Sequence, residues 1–138
     1  MRTLHCRVKN MRKTIELKPH SSIIALAFYN SGLAYGALGD YQQEINNYTK
    51  ALEVKPDFTM AYFNRGVSYG SLGNHHQAIK DYTKSIELKP DYANAYNNRG
   101  SDYFKLGNYQ QAIQDFKIAA KLGNTYSQEA LIKMGKKW

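Results

Sequence analysis

A chain of 138 residues fits one domain with a sizeable core, its 43% hydrophobic content is ordinary for a globular protein, and its single cysteine, Cys6, excludes an intrachain disulfide or a paired-cysteine metal site. The formal charge of +8 sits at the two ends: residues 1–20 carry six Arg or Lys against Glu16, residues 117–138 carry five Lys against Glu129, and the interval between them is nearly neutral. This distribution argues against nucleic-acid binding by the body of the chain and leaves only a phosphate-binding arm at either end as the form such binding could take.

No stretch reaches the roughly twenty apolar residues that span a bilayer, and no apolar run follows the basic N-terminus. A cytoplasmic protein without membrane insertion is the expectation.

Residues 1–22 are expected to form a lone basic helix and a linker. Leu4, Val8, Met11 and Ile15 lie at helical spacing, and Ile15 to Pro19 echoes Ile86 to Pro90. This stretch thus looks like the second helix of a repeat whose first helix is missing, and an orphan face over residues 4–17 could pair with another copy of the chain to give a homo-oligomer.

From residue 23 the chain repeats itself. Gly32, Gly66 and Gly100 keep a spacing of thirty-four residues, as do Gly39, Gly73 and Gly107, and an asparagine ladder of Asn30, Asn64 and Asn98 runs beside them. Such a fixed period is the mark of a stacked repeat array. Six helices are predicted, near 23–37, 41–54, 58–71, 75–88, 92–105 and 109–121. In the middle copy Asp57 is placed to cap the first helix, Gly73 to end it in a left-handed conformation, and Asn74 to cap the second. Pro56 and Pro90 stop the second helices by removing a backbone donor.

Gly66 lies inside a helix, at a cost of roughly 1 kcal/mol against alanine, and the expected compensation is close approach of the paired helix with Ala78 opposite. Ala112 has the same place in the third copy, but the first copy has Glu44, which must turn outward or find a cation, such as one from the N-terminal segment. Arg65 and Arg99 are each followed sixteen residues later by Asp81 and Asp115, whereas the first copy has Ser31 and Asn47 at those places. Because both members change together, an Arg–Asp bridge is predicted between the helices of the second and third hairpins.

Beyond the repeats, Tyr126 to Met134 can form a seventh helix that turns Ala130, Leu131 and Met134 toward the last hairpin, ahead of a basic tail ending in Trp138. No nucleophile and base stand at a recognisable spacing, so no catalytic residue is assigned and no enzyme is expected. His75 and His76 are adjacent and point to different faces, which makes them a poor chelating pair. No metal and no cofactor is assigned.

The pattern in the third copy of Tyr96, Gly100, Tyr103, Gly107, Tyr109, Ala112, Phe116 and Ala119 resembles that of the tetratricopeptide repeat family, over about residues 25–124. The resemblance implies an all-α, right-handed superhelical solenoid of three helix-turn-helix hairpins (about 25–58, 59–92 and 93–124, within a body of 23–124), followed by a capping helix and tail over 125–138. Asn124 departs from the pattern, replacing the proline of Pro56 and Pro90.

The family lines its concave groove with the first helix of each hairpin. Carried onto this chain, the resemblance places Leu26, Tyr29, Asn30 and Leu33 there in the first repeat, and Met60, Phe63, Asn64 and Val67 in the second. The third contributes Asn94, Asn97, Asn98 and Ser101, with Phe104 and Lys105 near the far edge. The asparagine ladder can donate to peptide carbonyls and accept from peptide N–H groups, or it can bond to the neighbouring repeat.

Some members grip the acidic end of heat-shock chaperones with a basic clamp. Here Asn64 is kept, but the clamp's lysine and arginine places hold Tyr29, Asn94 and Asn98, so a helix or an apolar peptide suits the groove better than an acidic tail. The expected function is non-catalytic binding of a partner protein's segment, in an adaptor or scaffold role.

Overall fold

The computed structural model describes residues 2–138, with side chains from His20 onward. Seven helices follow in order: α1 (Arg2–Ala37), α2 (Tyr41–Val54), α3 (Thr59–Ser71), α4 (His75–Leu88), α5 (Ala93–Lys105), α6 (Tyr109–Lys121) and α7 (Thr125–Lys133). The described residues contain no strand. Contacts run between neighbouring elements, α1 with α2, α2 with α3 and so on to α7, which makes the molecule an all-α helical repeat.

The helices from α2 to α6 begin and end within a residue of the predicted limits. Gly39, Gly73 and Gly107 take positive φ values of 75°, 78° and 81°, the left-handed conformation that closes a helix. Asp40 then caps α2 by accepting from the Gln43 N–H at 3.1 Å, and Asn74 caps α4 by accepting from Gln77. Two expected caps differ. Asn108 stands at the start of α6 without a side-chain bond to it, and α3 starts from Phe58, one residue after Asp57, again without a side-chain cap.

The N-terminal helix is the largest departure. A helix starting near 23 was expected after a linker, whereas α1 is continuous from Arg2 through Pro19 to Ala37. The stops at Pro56 and Pro90 are Lys-Pro-Asp sequences, but Pro19 is followed by His20-Ser21-Ser22, which provides no such turn. The side chains of Leu4, Val8, Met11 and Ile15, and with them the idea of pairing through 4–17, lie outside the described residues.

The interior glycines are tightly covered, as expected, and the nearest atoms belong to an aromatic ring. A Cβ added to Gly32 would stand 2.6 Å from the Tyr48 ring, one on Gly66 would stand 2.8 Å from the Tyr82 ring, and one on Gly100 would stand 3.0 Å from the Phe116 ring. Ala78 also reaches Gly70, its Cβ 3.9 Å from where a Cβ there would stand. Ala112 does meet Gly100, through its backbone oxygen at 3.2 Å from such a Cβ. The aromatic burial and close packing at each crossing offset the helix penalty of the glycine.

Both predicted Arg–Asp bridges form, and both are two-pronged. Arg65 donates from Nε and Nη2 to Asp81 at 2.8 and 2.7 Å, and Arg99 donates likewise to Asp115 at 2.8 and 2.8 Å. Each arginine also reaches the preceding repeat, with Arg65 Nη1 donating to Thr49 and Arg99 Nη1 to Thr83, both at 3.1 Å. Tyr62 and Tyr69 flank Arg65, and Tyr96 and Tyr103 flank Arg99, within about 6 Å of the guanidinium. One side chain therefore joins two helices of its own hairpin to the hairpin before it.

Glu44 is half-buried and so not turned fully outward, and the expected contact with the N-terminal segment lies outside the described residues. Its carboxylate lies over Gly36 and accepts from the Tyr48 hydroxyl at 2.9 Å. The missing side chain at Gly36 makes room for it, and burial together with this carboxylate pushes the Tyr48 phenol well above its ordinary range.

At the C-terminal end, Leu131 and Met134 pack on Ala112, Phe116 and Ala120 of the last hairpin. Asn124 begins α7 by accepting from the Ser127 N–H at 2.9 Å, so where proline stops the earlier helices an asparagine starts a new one. No helix among the described residues is long and apolar enough to cross a membrane.

Candidate peptide-binding groove

The first helices of successive hairpins stand side by side, and side chains couple them directly. Tyr29 of α1 stacks at 4.8 Å on Phe58, which leads into α3, and Phe63 of α3 stacks at 4.8 Å on Tyr92, which leads into α5. Tyr92 also donates its hydroxyl to Met60 Sδ at 3.3 Å. Tyr29 and Phe63 are consequently half-buried hinge residues between repeats, and each presents only part of its ring to the inner face.

In the third repeat the corresponding junction is polar. Asn94 accepts from Asn124 at 3.0 Å, and Asn97 accepts from the Ser127 hydroxyl at 2.7 Å. The Asn97 backbone carbonyl takes a further bond from Ser101 at 3.1 Å. These two amides were expected to face a ligand, yet the structure engages both in attaching α7. No repeat period signals this, because it depends on the single departure at Asn124.

The asparagine ladder is partly committed as well. Asn64 donates to the Tyr29 hydroxyl at 2.8 Å. Asn98 accepts from Asn97 at 3.2 Å. Asn30, by contrast, is exposed. Burial raises the Tyr29 and Tyr82 phenols, so both stay neutral donors and acceptors at ordinary pH.

What remains open on the inner helices is mainly apolar. Leu26, Leu33, Met60 and Val67 are 50%, 43%, 43% and 39% exposed, although nothing in the turn or helix chemistry requires an apolar side chain at these places. Phe104 is also exposed and meets Tyr109 edge-on at 5.0 Å. Between α3 and α5 the surface dips into a cavity of about 220 Å³ walled by Val67, Gly70, Asn98, Ser101, Asp102 and Lys105.

Asp102 is a residue that sequence reasoning missed. It is buried, and its Oδ1 lies 2.6 Å from His75 Nδ1, with the two side chains 5% and 20% exposed. His75 is therefore a hydrogen-bond partner of Asp102 across the second and third hairpins. A signal was present: His75 replaces Tyr41 and Tyr109, and Asp102 replaces Ala34 and Ser68, in the same pair of adjoining repeats. Among the described residues, no group of three or more His, Cys, Asp or Glu could hold a metal ion.

Models of the tetratricopeptide repeat match residues 60–92 and 93–126, and a related TPR repeat model matches 32–73, so together they span residues 32–126. This chain belongs to the tetratricopeptide repeat family, whose fold is a protein-interaction fold. The first TPR of Spaghetti (RPAP3), bound to the HSP90 peptide SRMEEVD, is 28% identical with a TM-score of 0.78 over 83% of this chain and 92% of that one. The first TPR domain of human RPAP3 is 27% identical with a TM-score of 0.75 over 81% of this chain and 90% of that one. MamA is 29% identical with a TM-score of 0.72, over 78% of this chain but 63% of that one. No curated protein matches the chain in sequence.

Proposed function

We propose that the protein is a non-catalytic adaptor that holds a segment of a partner protein along its inner face. The observation carrying this reading is the strip of exposed apolar side chains, Leu26, Leu33, Met60 and Val67, which runs across the first helices of consecutive hairpins. Apolar area on that face contributes little to the fold, and its burial by a guest would be favourable at roughly 25 cal/mol per Å². Asn30, Asn64 and Ser101 border the strip with polar groups able to bond a peptide backbone. The similar domain of Spaghetti carries a peptide, which supports the use of this fold for peptide capture.

The guest differs in chemistry from that peptide. SRMEEVD is acidic, whereas the groove of this chain has Tyr29, Asn94 and Asn98 where a basic clamp would stand, and Asn94 is already bonded to Asn124. An apolar segment or an amphipathic helix fits the strip better.

Selecting a randomised nonapeptide library displayed on phage against the full chain tests the reading. Apolar peptides are expected to emerge and to lose binding on Leu33→Glu and Met60→Glu, two substitutions at exposed positions. Selected peptides that bind both variants at undiminished strength would remove the groove from consideration.

A further inference from the structure

The cavity between α3 and α5 contains a charge that packing does not demand. At the places equivalent to Asp102 the chain has Ala34 and Ser68, so the repeat is built equally well without a carboxylate there. Burying one is costly unless it is paired, and His75 meets that cost on one side, at Oδ1. The other oxygen, Oδ2, lies 3.4 Å from where a Cβ on Gly70 would stand, and Gly70 itself lines the cavity. With no side chain at Gly70, the buried carboxylate borders the cavity directly on that side.

Size and lining narrow the occupant. At about 220 Å³ the cavity is smaller than the roughly 300–1,000 Å³ of small-molecule clefts, and its volume suits a single side chain of an extended segment. Val67 offers an apolar wall for a methylene stem. Ser101, whose hydroxyl proton is given to Asn97, presents its oxygen lone pairs, so Asp102 and Ser101 together make an acceptor-rich end. Lys105, one turn further along α5, walls the same cavity and acts on the Asp102 carboxylate, but its exposed, flexible stem lets the ammonium give way to solvent. At Gly36, the equivalent of Gly70 one repeat earlier, the Glu44 carboxylate itself occupies the place.

We propose that this cavity is a subsite for a lysine or arginine of the bound segment, with the side-chain cation donating to the Asp102 carboxylate. The inference rests on the reading that the inner face holds a peptide, and it adds to that reading the class of side chain that sets register and specificity.

The same phage-displayed nonapeptide library, selected on the full chain, is the test. Enriched peptides are expected to carry lysine or arginine at one fixed position within an otherwise apolar sequence. Loss of a charge-assisted bond in a desolvated site should weaken them about tenfold on Asp102→Asn. They should also weaken on Gly70→Ala, which narrows the cavity while favouring the helix, so a loss there is not a folding defect. Peptides that lose binding on Leu33→Glu but show no basic position, or bind Asp102→Asn unchanged, would overturn the subsite and leave the groove in place. Failure to enrich any peptide sensitive to Leu33→Glu would overturn both.

Discussion

Arg65 shows how much one side chain can do in a repeat array. It bonds Asp81 through two nitrogens and Thr49 through a third, between the rings of Tyr62 and Tyr69, so its guanidinium stays charged with its pKa held above the ordinary value despite burial. Arg65→Ala leaves the Asp81 carboxylate buried and unpaired, and a loss of about 2–3 kcal/mol is expected by urea denaturation. A change within a few tenths of a kcal/mol would show the bridge to be ornamental.

Asp102 behaves in the opposite sense. Burial raises its carboxyl above the ordinary value of 3.8, and His75 and Lys105 pull the other way without cancelling the effect. The folded state then holds this proton more tightly than the unfolded chain, so the group costs stability at neutral pH, and the cost is relieved as pH falls through the raised value. Asp102→Asn keeps an oxygen toward His75 and is expected to be at least as stable as the parent at pH 7, with the margin shrinking toward pH 4. Thermal melts across that range check it, and a margin that widens as pH falls would contradict the sign.

At the scale of the element, the helical glycines of α3 are of two kinds, one under an aromatic ring and one with room above it. Gly66 lies under the Tyr82 ring, where an added Cβ would be 2.8 Å away, whereas at Gly70 the nearest atom would be at 3.4 Å. Gly66→Ala should therefore lose about 1–3 kcal/mol through overpacking. Gly70→Ala should instead gain up to about 1 kcal/mol from helix propensity. Shifts of opposite sign in urea midpoint are the readout, and stabilisation by both would mean that the ring can move aside.

The elements also show where sequence reasoning stops. Helices α2 to α6, their glycine turns and both Arg–Asp bridges were legible because the chain states each feature more than once, and a departure such as Ser31 with Asn47 stands out against its copies. Features stated once were not legible. Asn94 and Asn97 could be read as ligand-facing because their partners, Asn124 and Ser127, lie beyond the last repeat. The His75–Asp102 pair spans twenty-seven residues and two hairpins, so a search at the sixteen-residue spacing of Arg65 and Asp81 passes over it. Continuity of α1 through Pro19 turns on the residue after the proline, where His20 stands in place of aspartate.

At the scale of the whole molecule, neighbours contact neighbours, so stability is close to a sum of hairpin and interface contributions and the inner face is assembled from pieces that no single repeat owns. The aromatic junctions at Tyr29–Phe58 and Phe63–Tyr92 fix the spacing of α1, α3 and α5, and the amide junction at Asn97–Ser127 fixes α7 against α5. Between them runs an apolar strip that ends at a polar cavity. The central claim is that this face, and not the outer helices, receives the partner. Backbone amide chemical-shift mapping of the labelled full chain with a phage-selected nonapeptide tests it most directly. We expect perturbations to concentrate around Leu33, Met60, Asn64, Val67 and Ser101 on α1, α3 and α5. Perturbations confined to α2, α4 and α6, or to the outer face of α7, would contradict the account.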